Sequence, residues 1–238
     1  MKNLIKRMLY FTEVEGVASK AKVFLYENLY TAFFLLRKTG LLDRNRTFYY
    51  PFGDRALKNR LGRFAFRNGT YDYAMLASYY EDRLLDILRD YAGGQIRAGK
   101  RILFLDIGAH LGKNCIALKN MFPDCEGFDC VAVEASPQTF SLLQKNISLN
   151  NLGKKIKSVN RAVYSSTGEK LQFRFDSRNP GGSSIDAAET SPDPEFIESV
   201  TMDDMLDSLS LSPADYGAII IKMDIEGAEE EALKGAAP

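Results

Sequence analysis

Three short segments of this chain carry polar side chains at spacings that allow chemistry. The first is Asp106-Ile-Gly108-Ala-His110-Leu-Gly112. It closes an apolar run over residues 102–107 that reads as a buried parallel strand, and a helical pattern follows it. The second is Val131-Ala-Val-Glu134, a shorter apolar run that also ends in an acid, 28 positions after Asp106. The third is Ala218-Ile-Ile-Ile-Lys222-Met-Asp224-Ile-Glu226-Gly227. Residues two apart in extended backbone point the same way, so Lys222, Asp224 and Glu226 share a face if the strand geometry persists that far.

In a doubly wound sheet, ligands lie beyond the carboxyl ends of the strands, at the point where strand order reverses. A glycine at such a strand end lets a ligand approach the backbone. A dinucleotide site wants a second glycine where this chain has His110, because a side chain there crowds a pyrophosphate. A nucleoside without phosphate needs only one open turn. Asp106 suits a cationic ligand end and repels a diphosphate, and Glu134 is placed to accept both hydroxyls of a ribose. S-adenosylmethionine has these properties. Asp224 then overlooks the cofactor, where it can hold an ammonium, orient a substrate or act as base, with Glu226 beside it. The bland alternatives are a plain strand-to-helix turn at Gly108, a solvent-facing acid at Glu134, and a structural ion pair at Lys222.

The elements that must position these groups alternate. Residues 112–122 read as a helix stopped by Pro123, and residues 131–134 as a second strand. Ser136-Pro137 gives an N-cap followed by proline, and Phe140, Leu143 and Ile147 form the buried stripe of a helix closed by Gly153. A third strand is expected over 156–163, a strand of a hairpin-like excursion over 170–175, and a long loop over 176–195. A short helix capped by Thr201 precedes the fourth strand over 218–224, and another helix opens after it. Upstream, Tyr73, Leu76, Ala77, Tyr80, Leu84, Ile87, Leu88 and Tyr91 mark one helix, capped by Thr70 or Asp72 and ended by Gly93-Gly94. Residues 1–42 read as helical, and residues 46–66 are aromatic and basic, with Pro51-Phe-Gly53 as a turn. This is an α/β architecture, a Rossmann-like doubly wound sheet.

Composition narrows the classes. The chain is 45% hydrophobic and 26% charged with zero net charge, ordinary for a globular fold with one core. The charges are uneven: residues 1–67 hold 14 Lys and Arg against 5 Asp and Glu, and the rest is correspondingly acidic. A basic leading segment either touches something anionic or packs on the acidic body, and the second is the simpler reading. An acidic body lacking an aromatic-basic platform argues against nucleic acid. Cys115, Cys125 and Cys130 make an odd number and no disulfide framework, and a single histidine makes a Cys/His metal site unlikely to form. Reduced cysteines and a cytoplasmic location are expected. The apolar stretch over 23–36 is too short and too polar to span a bilayer, which leaves a peripheral membrane contact of the N-terminal segment or an oligomer contact open.

Taken in order, Leu105-Asp-Ile-Gly-Ala-His-Leu-Gly112, Val133-Glu-Ala-Ser-Pro137, Asn160-Arg-Ala-Val163, Gly182-Ser-Ser-Ile185, Thr201-Met-Asp-Asp204 and Ile221-Lys-Met-Asp-Ile-Glu-Gly-Ala-Glu229 resemble the FkbM family of methyltransferases. The resemblance implies methyl transfer from S-adenosylmethionine to a hydroxyl of a sugar or natural-product acceptor, a small molecule or glycan. It implies cofactor contacts at Asp106, Gly108, Gly112 and Glu134, with Asn160, Arg161 and Ala162 near the adenine; Ala135 beside Glu134 is expected at the cofactor too, and the strand-end reading makes Asp224, which overlooks the cofactor, and Glu226 the catalytic pair. Where the family commonly has asparagine this chain has His110, expected to neighbour the cofactor through its backbone. The family's sheet continues beyond the fourth strand, so a sheet cut short there is expected. The expected division is a basic, mainly helical extension over 1–69 and the cofactor-binding domain over 70–238. Against this stand a non-catalytic remnant and a nicotinamide-dependent oxidoreductase, the latter disfavoured by His110.

Overall fold

A strand that is apolar on both faces needs a covering layer on each side, and residues 102–107 have both. In this computed structural model the described residues are 13–14, 25–26, 28–29, 32–33, 35–36, 39–42, 56–76, 81–175, 180–185 and 195–236. In chain order the elements are β1 (Glu13–Val14), β2 (Leu57–Asn59), β3 (Gly62–Phe64), α1 (Asp72–Leu76), α2 (Asp82–Arg97), β4 (Ile102–Ile107), α3 (Lys113–Met121), β5 (Phe128–Val133), α4 (Pro137–Leu149), β6 (Lys157–Val159), β7 (Ala162–Val163), β8 (Lys170–Arg174), β9 (Ser184–Ile185), β10 (Glu195–Val200), α5 (Met202–Ser208), β11 (Ala218–Met223) and α6 (Glu229–Lys234).

The central sheet is parallel, in the order β11-β4-β5-β6. Every residue of β4 is buried. Its side chains alternate between two cores: Ile102 and Phe104 pack with residues of α2, α3 and α4, while Leu103, Leu105 and Ile107 pack with Met202, Met205 and Leu206 of α5 and Ala232 of α6. Each fully buried Leu or Ile of this kind contributes about 1.5–3 kcal/mol. The expected doubly wound α/β sheet is therefore the observed one, with the strand order reversing between β4 and β11. β11 lies at an edge of the described sheet, with Ile219 and Ile221 exposed.

Local signals set several boundaries as expected. Ser136 Oγ accepts from the Thr139 amide with Pro137 in the first turn of α4, and Thr201 Oγ1 accepts from the Asp204 amide at the start of α5. Cys115 and Cys130 are core residues. No helix among the described residues is long and apolar enough to cross a membrane.

Other boundaries differ from expectation. Gly93-Gly94 does not end a helix: α2 continues to Arg97, and Gly93 is buried, with a Cβ there falling 3.4 Å from the Phe122 ring. The glycine serves helix packing, not termination. The single helix expected over 73–91 is interrupted, because Glu81 takes φ +53° ahead of α2. Asn151, at φ +57°, takes the left-handed turn after α4 in place of Gly153. The third strand breaks in two. Asn160 Nδ2 donates to the carbonyls of Glu134 and Ala135, and beyond it β7 leaves the central sheet to pair with β10. β10, unforeseen, organises a second sheet in the order β7-β10-β8-β9. Strands β1, β2 and β3 form a third, antiparallel sheet within the leading segment. Residues 25–36 are helical where described. Pro51-Phe-Gly53, Ala77, Tyr80, most of residues 1–42, and 176–179 with 186–194 of the expected loop lie outside the described residues.

The β2–β3 hairpin is built into the body. Leu57, Leu61, Phe64 and Phe66 belong to the same core as Phe104 and Ile116. Asn146 of α4 and Asn150, which caps its end, read the backbone after β2 much as a neighbouring strand would. Asn150 accepts from the Arg63 amide at 2.9 Å and donates to its carbonyl at 2.7 Å. Asn146, fully buried, accepts from the Ala65 amide at 2.6 Å and donates to the carbonyls of Ala65 and Leu111. Replacing Asn146 by alanine strands three buried backbone groups, each costing about 1–3 kcal/mol. Asn146→Ala is expected to lower unfolding free energy in urea by about 3 kcal/mol or more; a loss below about 1 kcal/mol would contradict this account.

Candidate active site

The turn after β4 is shaped by its neighbours. Gly108 has φ +78°, and a Cβ there would lie 2.0 Å from the Asp224 carbonyl oxygen. Close approach of β11's end thus demands glycine at 108, beside any access it gives a ligand. Gly112, at φ +80°, is the N-cap of α3, and its Cβ would strike Leu143 at 2.5 Å. The amides of Gly108 and Ala109 donate to the Val133 carbonyl, which draws the turn over the end of β5.

Glu134 sits just past that end. Its Oε2 accepts from the His110 amide at 2.9 Å and its Oε1 from the Ser136 amide at 3.0 Å. The carboxylate braces the glycine turn and the start of α4 together. A carboxylate offers about four acceptor positions, so lone pairs remain for a ligand. Burial pushes its carboxyl above the ordinary carboxylate range, with nearby His110 opposing.

Asp106 is completely buried, and neither oxygen accepts a hydrogen bond among the described residues. Burial raises its pKa, with Lys222 opposing. The Lys222 ammonium lies 3.7 Å from Asp106, 3.4 Å from Asp224 and 3.0 Å from the Gly108 carbonyl, to which it donates. Burial alone depresses this lysine, and the two acids reverse that, leaving its pKa raised. Lys222 therefore carries the influence of Asp106 to the cavity, while Asp224 stands half in solvent. The extended geometry does not persist: Glu226 takes φ +51° and stands exposed, off the face shared by Lys222 and Asp224.

From the other side, fully buried Asp72 is gripped by Arg67. The Arg67 amide (2.9 Å) and Nε (2.7 Å) donate to Oδ2 and its Nη2 to Oδ1. Nε2 of His110 lies 3.2 Å from both Arg67 Nη2 and Asp72 Oδ1. Burial pushes Asp72 up, but the hydrogen bonds and charges of His110 and Arg67 prevail and bring it to about 2. Thr70, not Asp72, accepts the first amide of α1, because the aspartate is engaged by Arg67.

One cavity collects most of the expected residues. Gly108, His110, Glu134 and Ala135 line its centre, Arg161 and Ala162 one end, and Asp224 and Glu226 the rim. Three expected contacts are not on its wall. Asp106 lies beneath it, Gly112 is spent on helix packing, and Asn160 shapes the chain reversal through the Glu134 and Ala135 carbonyls. The expectation that Asp106 and Glu134 flank a common crevice is corrected: only Glu134 faces it, and Asp106 acts through Lys222.

Several lining residues were not anticipated. Phe173 and Val163 line the cavity with Ala162, and so do Pro180, Gly181 and residues Ser183 to Ile185, with Gly181 against Met75. Lys113 and Asn114, on the first turn of α3, line it together with Glu81. Lys113 is 8% exposed. Burial, aided by Arg60 and opposed by Glu81 and Asp82, brings its pKa down to about 8. The signal for Lys113 was present in the sequence, as a cation directly after the glycine turn.

A model of the methyltransferase FkbM domain matches residues 106–238. Seventeen chains of solved structure match. Among them is a crystal structure of the methyltransferase FkbM from Methylobacillus flagellatus KT, 21% identical, with 56% of this chain and 28% of that chain covered and a TM-score of 0.35. This chain thus spans well under half the length of that one. No curated protein matches.

The buried cation has a consequence for stability. Its folded pKa of about 8 lies below the ordinary lysine value of 10.5 that holds in the unfolded chain, so between these pH values the unfolded state holds the extra proton and stability rises with pH. The displacement corresponds to about 3 kcal/mol at most. Lys113→Met is expected to raise the melting temperature at pH 7, with the advantage shrinking from about pH 8 to pH 10. A variant less stable than the parent at pH 7 would refute the cost assigned to this burial.

Proposed function

Because this chain belongs to the methyltransferase FkbM domain family, we propose that it binds S-adenosylmethionine in this cavity and moves its methyl group to a hydroxyl of a sugar or natural-product acceptor. The observation that carries the reading is Glu134: a carboxylate at the end of β5, held by two backbone amides, facing the cavity beside a bare glycine turn and still able to accept from a ribose diol.

The residues present fit the cofactor. Ala162, Val163 and Phe173 offer an apolar slot of the kind an adenine ring needs, next to Glu134. The turn from Gly108 to His110 takes the thread of the ligand toward Lys222 and Asp224. Bound there, the sulfonium supplies an activated methyl group whose transfer needs in-line placement of the acceptor. Asp224 is the side chain positioned to take the acceptor's proton, and Lys222 fixes its orientation at 3.4 Å. Glu226 stands at the mouth, where it contacts an acceptor more readily than the cofactor. His110 serves through its amide on Glu134, while its ring is held by Asp72 and Arg67.

Titration calorimetry with S-adenosylhomocysteine is the direct test. Binding is expected, and Glu134→Gln is expected to weaken it by about 10- to 100-fold, the worth of one or two hydrogen bonds to a charged group. Asp224→Asn should bind nearly as well but lose about 100-fold or more in methyl transfer. Absence of heat with this ligand, together with binding of NADH, would sink the proposal.

A further inference from the structure

We propose that Arg67 is a positioning residue for nucleoside binding, one that fixes both backbone supports of Glu134 from outside the family domain. The inference rests on the reading of Glu134 as the acceptor for a ribose diol, and adds what keeps that carboxylate in place and charged.

Glu134 is held by two amides from different segments, that of His110 in the turn after β4 and that of Ser136 at the cap of α4. Arg67 touches both segments. Its Nη2 lies 3.2 Å from Nε2 of His110, and its Nη1 donates to Thr139 Oγ1 at 3.0 Å. Thr139 is fully buried, and its amide donates to the Ser136 hydroxyl that caps the same helix. The guanidinium is set in turn by Asp72, which accepts from Nε at 2.7 Å and from Nη2 at 3.1 Å, while the centre of the Phe175 ring lies 5.8 Å from its carbon. Asp72, His110, Thr139 and Phe175 thus meet on one planar fork. A group with donors in several fixed directions can join them, and the single ammonium of a lysine cannot.

The grip on His110 matters because of its backbone. His110 takes φ +49°, a left-handed conformation that a β-carbon disfavours, and its amide reaches Glu134 from that conformation. The ring is anchored whichever way its proton sits. An unprotonated Nε2 accepts from Arg67, and a protonated one donates to Asp72 Oδ1, 3.2 Å away.

Charge acts in the same direction. Glu81, Lys113, Arg161, Lys222, Asp224 and Glu226 share the cavity with Glu134, but the charged groups that act most on its carboxyl are His110 and Arg67, with Asp72 behind both. Burial pushes this carboxyl up, and His110 and Arg67 oppose the rise. Removing the Arg67 charge therefore raises the pH below which Glu134 takes a proton and loses acceptor capacity. Arg67 and Asp72 both precede residues 106–238, so this support comes from the leading part of the chain.

The test is calorimetry on the whole chain, over a range of pH, with S-adenosylhomocysteine and with its 2′,3′-dideoxy analogue, which lacks the ribose diol. The parent is expected to bind the first about tenfold or more tightly at neutral pH. Arg67→Lys keeps the charge and loses the fork. It should cut that ratio to about threefold or less by weakening S-adenosylhomocysteine, with the dideoxy analogue bound as by the parent. Arg67→Met loses both, and should also move the acid-side loss of S-adenosylhomocysteine binding to higher pH, by about 0.5 or more. A merely structural role would weaken both ligands alike and leave the acid-side loss where the parent has it. Equal weakening of both ligands, or the parent's ratio in both variants, overturns the positioning role and leaves the nucleoside reading intact. A parent that binds neither ligand removes that reading and the proposal with it. Where Arg67→Met fails to fold, the ratio in Arg67→Lys decides.

Discussion

The Asp224 carbonyl oxygen lies where a Cβ of residue 108 would be, 2.0 Å from that position, so the end of β11 and the turn after β4 touch backbone to backbone. Everything around the cavity follows from that contact. Lys222, two residues before Asp224, is brought near enough for its ammonium to reach the Gly108 carbonyl. The same turn is drawn onto β5 by the Val133 carbonyl and braced by Glu134. Three strand ends thereby meet at one glycine, and the groups able to do chemistry are those the strands carry to that point.

The charges around this junction are graded by depth. Asp106 is sealed beneath it and reaches the cavity through Lys222. Asp72 is equally sealed, but Arg67 satisfies it so fully that its proton affinity falls well below normal. Asp224 and Glu226 stand nearer solvent. Deep charges that are paired hold the frame, and shallow ones remain free to exchange partners with a ligand.

Much of the fold is legible because it is written locally. The six-residue apolar run of β4, the Ser136-Pro137 start of α4, the Thr201 cap and the long apolar approach to Asp224 are each contained within a few residues. What escapes is decided by distant partners. Arg67, Asp72 and His110 converge from three segments, and no spacing rule links them. Gly93 reads as a helix stop until Phe122 is seen against it. β10 follows a stretch of polar turn residues and is recognisable only by its pairing with β8 and β7. The site shows the same division. Glu134 and Gly108 were found through strand ends, whereas Asp106, expected beside them, is displaced because its side chain falls on the face of β4 that α3 covers.

One amide side chain, Asn146, holds the Ala65 backbone with one hand and the Leu111 carbonyl with the other. The leading hairpin and the ligand turn are therefore mechanically one piece. The basic hairpin of β2 and β3 is thus tied by hydrogen bonds to the turn that edges the cavity.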